Sequence, residues 1–594
     1  MIQKLMEHLR NNNHHESDDS HPRMQGILPE FVETAHSRIF ILNLFFIALF
    51  GLMVLRVADL TIIKYKPTQF CASLETGEEE SEKATLQTKR GEIVDRNGIV
   101  LATSLFTASL YADPSEIIDP KESAKQLVSL LPELGLAEIE AKLSVENKRF
   151  VWLQRHLTPR QHHDINALGI PGLHFEKTEK RVYLHGPLAS HVLGFSDTDS
   201  NGIAGVEHSF NDYLRTNSKP LQLSLDIRIQ HILREEILQT IDKHKAIGGM
   251  GTVMDVQTGE IVAMVSLPDF DPNQANLAKD VERFNANTAG VYELGSGLKL
   301  LTAAMALDSG KVTFASGYDA SHPITVGRQQ IHDYRGQKRY LTLPEIIVHS
   351  SNIGAAKMAM DVGAVKQREY LARFGLFKPT RIELPEVSRP LFPSTQNWKD
   401  VNTMTIAFGH GMAVSPVQML SAISTLVNGG ILYRPTLVKK QSSEEIFGER
   451  VISEKTSLQS CKLMRSVVLE GTGRKAAVPG YLVAGKSGTA EKIKNGRYSK
   501  TANLASFIGA FPIHAPRYVV FVMIDEPKGT KETAGYATGG WIGSPLAGRV
   551  IKRIAPILGI QPVDENDPSI LKRTLVNYTG SKLNGVHLAA VKTR

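Results

Sequence analysis

Two stretches of strand-like sequence lie far apart in this chain and bracket a long helical middle, and that order decides the fold class. Gly251-Thr252-Val253-Met254-Asp255-Val256 and Ile261-Val262-Ala263-Met264-Val265 read as apolar strands joined through Gln257-Thr258-Gly259-Glu260. A second pair, near 506–511 and 518–524, flanks His514-Ala515-Pro516. Strands first and last with helices between them predict an α+β domain in which one antiparallel sheet is covered by helices. No internal repeat is evident.

A chain of 594 residues, 42% hydrophobic and 22% charged, is long enough for two or more such cores. The charge of +7 is spread over 68 basic and 61 acidic residues with no Lys/Arg block, so no nucleic-acid partner is implied. Cys71 and Cys461 fall in segments assigned to different domains, which argues against a structural disulfide. No HExxH or CxxC pattern is present, and neither a metal nor a cofactor is expected.

The run Ile39-Phe40-Ile41-Leu42-Asn43-Leu44-Phe45-Phe46-Ile47-Ala48-Leu49-Phe50-Gly51-Leu52-Met53-Val54-Leu55 is almost wholly apolar and bracketed by Arg38 and Arg56. It is just long enough to span a bilayer and is read as a retained single anchor, because it lies far from the N-terminus and no small-x-small cleavage site follows. Basic residues on its two sides give no positive-inside bias. The expected organisation is a polar tail over 1–38, an anchor and juxtamembrane segment over 39–63, a stalk and mixed α/β pedestal over 64–217, a catalytic domain over 218–564 and a tail over 565–594. The pedestal opens on a hairpin at Asn97-Gly98, and a new strand at 221–225 followed by a helix at 227–241 opens the second domain.

Ser296 and Lys299 stand three apart in Gly295-Ser296-Gly297-Leu298-Lys299, ahead of a run over 300–307 that is apolar on all sides, as a buried helix is. Residues at i and i+3 share a helix face, so the lysine amine reaches the serine hydroxyl. Apolar surroundings disfavour the charged lysine and fit it to act as a base. Ser350-Ser351-Asn352 forms a polar break between two helical stretches, where a hydroxyl and an amide can relay a proton or hold a substrate amide. Lys486-Ser487-Gly488-Thr489 comes after the apolar Tyr481-Leu482-Val483-Ala484 and offers a cation, two hydroxyls and a glycine on an edge strand. Such an edge binds a peptide by strand addition while Lys486, Ser487 and Thr489 hold its carboxylate. Taken alone, Ser-x-x-Lys is more often an ordinary capping serine, and the other two motifs are as compatible with a plain helix cap or a solvated strand end.

Gly480 to Ser487 also fits the phosphate-loop pattern G-x-x-x-x-G-K-S. That loop needs a strand before it and a long helix after it, whereas here the variable positions are strand-like and Gly488 and Gly496 interrupt the segment where the helix would lie.

Taken in order, Ser-x-x-Lys, Ser-x-Asn and Lys-Ser-Gly are the set found in serine β-lactamases and penicillin-binding proteins. Together with the anchor, Arg90-Gly91, Gly202 to Glu207, Ser224-Leu225-Asp226, 267–273 and Ala407-Phe408-Gly409-His410-Gly411, they make the chain resemble the class B penicillin-binding proteins over roughly 39–560, most closely the division-specific septal type called penicillin-binding protein 3. The resemblance implies a penicillin-binding, serine β-lactamase-like transpeptidase domain in which Ser296 attacks the penultimate D-Ala carbonyl of a peptidoglycan stem peptide. Lys299 would deprotonate it, Ser350 and Asn352 would assist proton transfer, and Lys486, Ser487, Gly488 and Thr489 would bind substrate. The backbone N–H groups of Ser296 and Thr489 would form the oxyanion hole. Further implications are β-lactams as ligands, a catalytic domain outside the inner membrane, and a septal glycan polymerase and other division proteins as partners.

The usual Glu-Pro-Gly-Ser is Glu293-Leu294-Gly295-Ser296 here, and Gly297-Leu298 replaces the common Thr-Phe. Near the C-terminus Gly539-Gly540-Trp541 departs from the family's ending. A scaffolding homologue of impaired activity and an elongation-specific transpeptidase therefore stay open as alternatives. A β-lactamase is disfavoured by the anchor, the large N-terminal domain and the lack of a deacylating carboxylate motif.

Overall fold

The computed structural model describes residues 46–51, 53, 89–327, 329–441, 446–494 and 497–576. Contacts divide the chain after Leu86. On the N-terminal side the described residues, 46–51 and 53, are helical. The expected anchor over 39–63 thus lies mostly outside the described residues, and no helix among those described is long and apolar enough to cross a membrane.

The unit from Gln87 onward begins with a five-stranded sheet. Strands β1 (Ile93–Val94) and β2 (Val100–Ala112) form the expected hairpin. The Asp95 carboxylate accepts from the backbone of Asn97 and Ile99 at 2.7 and 2.9 Å, and Gly98 takes a positive φ, so the turn is fixed by its own side chain. β3 (Val151–Leu157) and β4 (Leu173–Tyr183) pair antiparallel with β2. The helices Pro120–Leu130, Leu136–Leu143 and Pro159–Ala167 contribute Leu127, Ile139 and Ile165 to a core closed by Leu110 and Leu153 from the sheet. β5 (Leu221–Gln222) pairs parallel with β1. The strand expected to open the catalytic domain is therefore built into the pedestal sheet, a pairing between distant segments that local pattern does not encode.

The second sheet is antiparallel and has the order β8-β9-β10-β6-β7, with β6 (Gly248–Asp255), β7 (Ile261–Leu267), β8 (Ala484–Lys494), β9 (Arg497–Phe511) and β10 (Tyr518–Asp525). Both predicted hairpins are present, and the β10–β6 pairing joins the two ends of the domain. β10 is buried from Tyr518 to Ile524, which is why that stretch reads as continuous rather than alternating apolar sequence.

In chain order the helices around this sheet include α1 (Ile227–His244), α2 (Leu298–Asp308), α3 (Leu343–His349), α4 (Asn352–Val362), α5 (Pro416–Thr425), α6 (Glu454–Glu470), α7 (Gly543–Ile557) and α8 (Pro568–Thr574). α1 and α7 cover one face with Leu233, Ile237, Leu546 and Val550 against Val253, Val520 and Val522. α1 sits so close that a methyl group on Gly249 would lie 2.8 Å from Ile237. On the other face α5 packs against β6, β9 and β10 and α6 against β8, α2 and α4 pack together behind them, and one core joins these helices to Met250, Met254 and Met264 and to Ile93, Leu101 and Leu221 of the pedestal. α2 is buried on every side from Leu298 to Leu307, as its unbroken apolar sequence requires.

Candidate active site

Ser296 sits in a single 3₁₀ turn, Gly295–Gly297, that runs directly into α2. The turn is pressed against β8: Gly295 has φ +56°, and a Cβ there would lie 2.8 Å from the carbonyl oxygen of Thr489. A side chain is thereby excluded at the residue before the nucleophile candidate. From the other side Gly409, φ +92°, brings the 407–411 loop onto Gly295, where a Cβ would meet its carbonyl at 2.1 Å.

One turn into the helix, Lys299 is 1% exposed. Its amine donates to Ser296 Oγ at 3.1 Å, to Ser350 Oγ at 3.0 Å and to the Ser350 carbonyl at 2.7 Å. Ser350 Oγ in turn donates to Ser296 Oγ at 2.9 Å, closing a triangle of three polar groups. The position of Ser350 is set by its backbone: it ends α3 in the left-handed region, φ +59°, a conformation that costs a non-glycine residue about 1 kcal/mol or more and that turns its carbonyl and hydroxyl together toward Lys299. Burial pushes the Lys299 pKa well down, the Lys486 charge adds to the fall, and Asp333 opposes it. The lowered basicity enlarges the share of neutral amine, the form whose lone pair can take a proton from a hydroxyl.

Among the described residues β8 is one of the two edge strands of its sheet, paired only with β9. The residues Tyr481-Leu482-Val483, read from sequence as strand, precede it, and Lys486 to Thr489 lie inside it, with Lys486 opposite Ile508 and Thr489 opposite Ala505. Lys486 and Ser487 lie within β8 and the next element is β9, not a helix, which removes the phosphate-loop reading of Gly480 to Ser487. Lys486 is buried, and burial lowers its pKa to about 7. Its amine donates to the Ser487 carbonyl at 3.0 Å and reaches Thr472 Oγ1 at 3.5 Å. Ser487 Oγ donates to the same Thr472 oxygen at 2.7 Å, and Thr489 Oγ1 accepts from the Gly539 backbone at 3.0 Å. Gly488 lets the strand pass Leu294, whose carbonyl would stand 3.0 Å from a Cβ.

Asn352 is placed differently from the other sequence-derived residues. Its side chain donates to the His332 carbonyl at 2.9 Å, and it makes no hydrogen bond to Ser296, Lys299 or Ser350. Sequence reading also missed three groups. Thr472, between Gly471 and Gly473 at the end of α6, ties Lys486 and Ser487 together, and the hydroxyl flanked by two glycines was its only signal. Asp333 receives Ser351 Oγ at 2.7 Å and caps α4 through the backbone of Asn352 and Ile353. Glu293 accepts from the Gly411 backbone at 2.9 Å and from Tyr498 OH at 3.0 Å, joining the nucleophile loop to the β8–β9 hairpin.

Residues 249–548 match the family described as the penicillin binding protein transpeptidase domain, and residues 85–236 match the penicillin-binding protein dimerisation domain. The chain belongs to the class B penicillin-binding proteins. Among its relatives, a probable peptidoglycan D,D-transpeptidase FtsI of Caulobacter vibrioides is 41% identical over 485 residues, covering 80% of this chain and 82% of the relative. The peptidoglycan D,D-transpeptidase FtsI of Escherichia coli is 31% identical, covering 80% and 85% of the two chains. The crystal structure of penicillin binding protein 3 from Mycobacterium tuberculosis in complex with aztreonam superposes with TM-score 0.65 at 22% identity, covering 83% of this chain and 99% of that one, which establishes the shared fold. In this penicillin-binding protein Ser296 and Lys299 thus stand in contact with each other, on a turn that meets the β8 edge strand at Thr489.

Proposed function

We propose that this protein is a septal peptidoglycan D,D-transpeptidase that works through an acyl-enzyme on Ser296. The observation that carries this reading is the contact of the buried, pKa-lowered Lys299 amine with Ser296 Oγ at 3.1 Å. A stem peptide ending in D-Ala-D-Ala adds to the β8 edge, with its terminal carboxylate on Ser487 and Thr489 beside the Lys486 amine. Ser296 Oγ attacks the penultimate D-Ala carbonyl while its proton passes to Lys299, directly or through Ser350 Oγ. The oxyanion takes hydrogen bonds from the backbone N–H groups of Ser296 and Thr489, donors worth several kcal/mol in acyl transfer. The proton then goes to the departing D-Ala amine. The acceptor amine of a second stem peptide displaces Ser296 and gives the cross-link.

β-Lactams fit the same path because they present an acyl carbonyl and a carboxylate at similar spacing. The apolar run over 39–55 anchors the chain in the inner membrane in this reading, with the catalytic domain on the periplasmic side, where stem peptides are joined, and with a glycan polymerase and other division proteins beside it. The names of the FtsI relatives support the septal assignment.

The test is covalent labelling of the purified chain by a fluorescent penicillin, with the labelled peptide mapped by mass spectrometry. Label on Ser296 that is lost in Ser296→Ala and Lys299→Ala is the expected result. A folded wild type that never labels would refute the reading in favour of a scaffolding role.

A further inference from the structure

The sequence places a tail after 564, yet its first residues are bound into the frame that holds β8. Residues Glu565 to Val576 carry α8, which is capped by Asp567 and packs against α6, and Val576 is buried in the main core. Glu565 Oε2 receives the Arg465 guanidinium at 2.6 Å, and its Oε1 accepts from the Gly480 backbone N–H at 2.8 Å. Arg465 lies on α6 with its side chain 6% exposed, and its other arm donates to the Val483 carbonyl at 2.8 Å. Gly480 is gripped from its second side as well, since its carbonyl accepts from Val563 N at 2.9 Å. Gly480 and Val483 are the last turn and the last residue before β8 begins at Ala484.

α6 and β8 are therefore joined at two places. Near the start of the strand the joint is Arg465 to Val483, braced by Glu565. Further along it is Thr472, just past the helix end, to Ser487 and Lys486. A buried guanidinium needs its counter-charge, and without one it reorganises or draws in water. Loss of Glu565 leaves Arg465 unpaired and Gly480 N–H without its acceptor, so the entry to β8 loosens at both ends of one loop.

We infer that Glu565 is a positioning residue of the substrate site, acting through Arg465 and Gly480 to set the β8 edge and with it Lys486, Ser487 and Thr489. This rests on the transpeptidase reading given above. The Ser296–Lys299–Ser350 triangle is held by α2 and α3 and makes no contact with the clamp. The consequence is that the clamp governs first how well a carboxylate-bearing donor is held by Lys486, Ser487 and Thr489, and reaches the acylation step only through the β8 groups that face it, the Thr489 N–H and the Lys486 charge.

The experiment measures labelling of the full chain by fluorescent penicillin over a range of concentrations, separating the binding constant from the acylation rate constant. Glu565→Ala is expected to weaken binding about tenfold or more, with a smaller slowing of the acylation step. Glu565→Gln, which keeps an oxygen for Gly480 N–H, is expected to weaken binding about threefold. A chain ended after Val576 should label as wild type, and one ended after Asp564 should behave as Glu565→Ala or worse. Unchanged binding in both Glu565 variants, or a loss confined to melting temperature, overturns the inference, and if Glu565→Ala does not fold, unchanged binding in Glu565→Gln suffices to do so. A loss confined to the acylation step, with binding unchanged, also overturns it. A wild type that does not label refutes the transpeptidase reading itself, which the variants then cannot rescue.

Discussion

Lys486 depresses the basicity of Lys299: both side chains are buried, and the charge of the first is the second-largest cause, after burial, of the lowered pKa of the other. Lys486 itself titrates at about 7. As pH falls, Lys299 takes up a proton and ceases to act as a base, a change that the Lys486 charge opposes, so the acylation rate constant should fall on the acid side. In Lys486→Met the cross-charge is gone, the Lys299 pKa rises, and the acid limb should shift to higher pH. Labelling rates at fixed saturation from pH 5 to 9 read this directly, and an unshifted limb would speak against the coupling.

The same lysine costs stability. Its folded pKa of about 7 lies below the ordinary value of 10.5, so the unfolded chain binds more protons between these values and stability rises with pH across that window. Lys486→Met should therefore stabilise the domain at pH 6, on the order of 3 kcal/mol after the lost hydrogen bond is allowed for. The gain should shrink as pH rises from about 7 toward 10.5. Denaturant melts at pH 6 and pH 10 compare the two.

Ser350 and Asn352 belong to one motif but should separate on mutation. Ser350 Oγ touches both Lys299 and Ser296, so Ser350→Ala should slow acylation by about 10²-fold. Asn352 is engaged with the His332 carbonyl, so Asn352→Ala should slow it much less. Equal losses would show that the cleft rearranges around bound substrate.

Two glycines flank the serine and should respond in opposite ways. Gly297 has helical angles, φ −61° and ψ −37°, and a Cβ there meets the flexible end of Met419 at 3.1 Å and Ile508 at an ordinary 3.9 Å. Gly297→Ala should be neutral or add up to about 1 kcal/mol, with labelling retained. Gly295→Ala should abolish labelling, because its positive φ and the Thr489 carbonyl leave no place for a side chain. Melting curves and labelling of both variants check this.

In the pedestal, the Glu207 carboxylate is wholly buried between Arg90 Nη2 at 2.7 Å and Arg181 Nε at 2.7 Å. Glu207→Ala leaves two buried guanidinium groups unpaired and should cost about 3–5 kcal/mol. The measurement is the denaturation midpoint of the variant, which should fall sharply while labelling of the remaining folded protein at Ser296 persists.

What the sequence determined by itself is local. The i, i+3 spacing of Ser296 and Lys299 ahead of an unbroken apolar run fixed a lysine beside a serine on a buried helix, because helical geometry and burial both act within a few residues. The two hairpins and their sheet were legible for the same reason, as each strand lies next to its partner in the chain. What joined these pieces was decided only by tertiary structure. β5 pairs with β1 across more than a hundred residues, Ser350 reaches Lys299 through a left-handed residue that no spacing announces, and Asn352 binds the His332 carbonyl instead of the reacting groups. Thr472 and Glu565 came to β8 from distant segments in the same way. Such contacts depend on which surfaces meet once the helices close over the sheet, and that is a property of the packed core, not of any window of sequence.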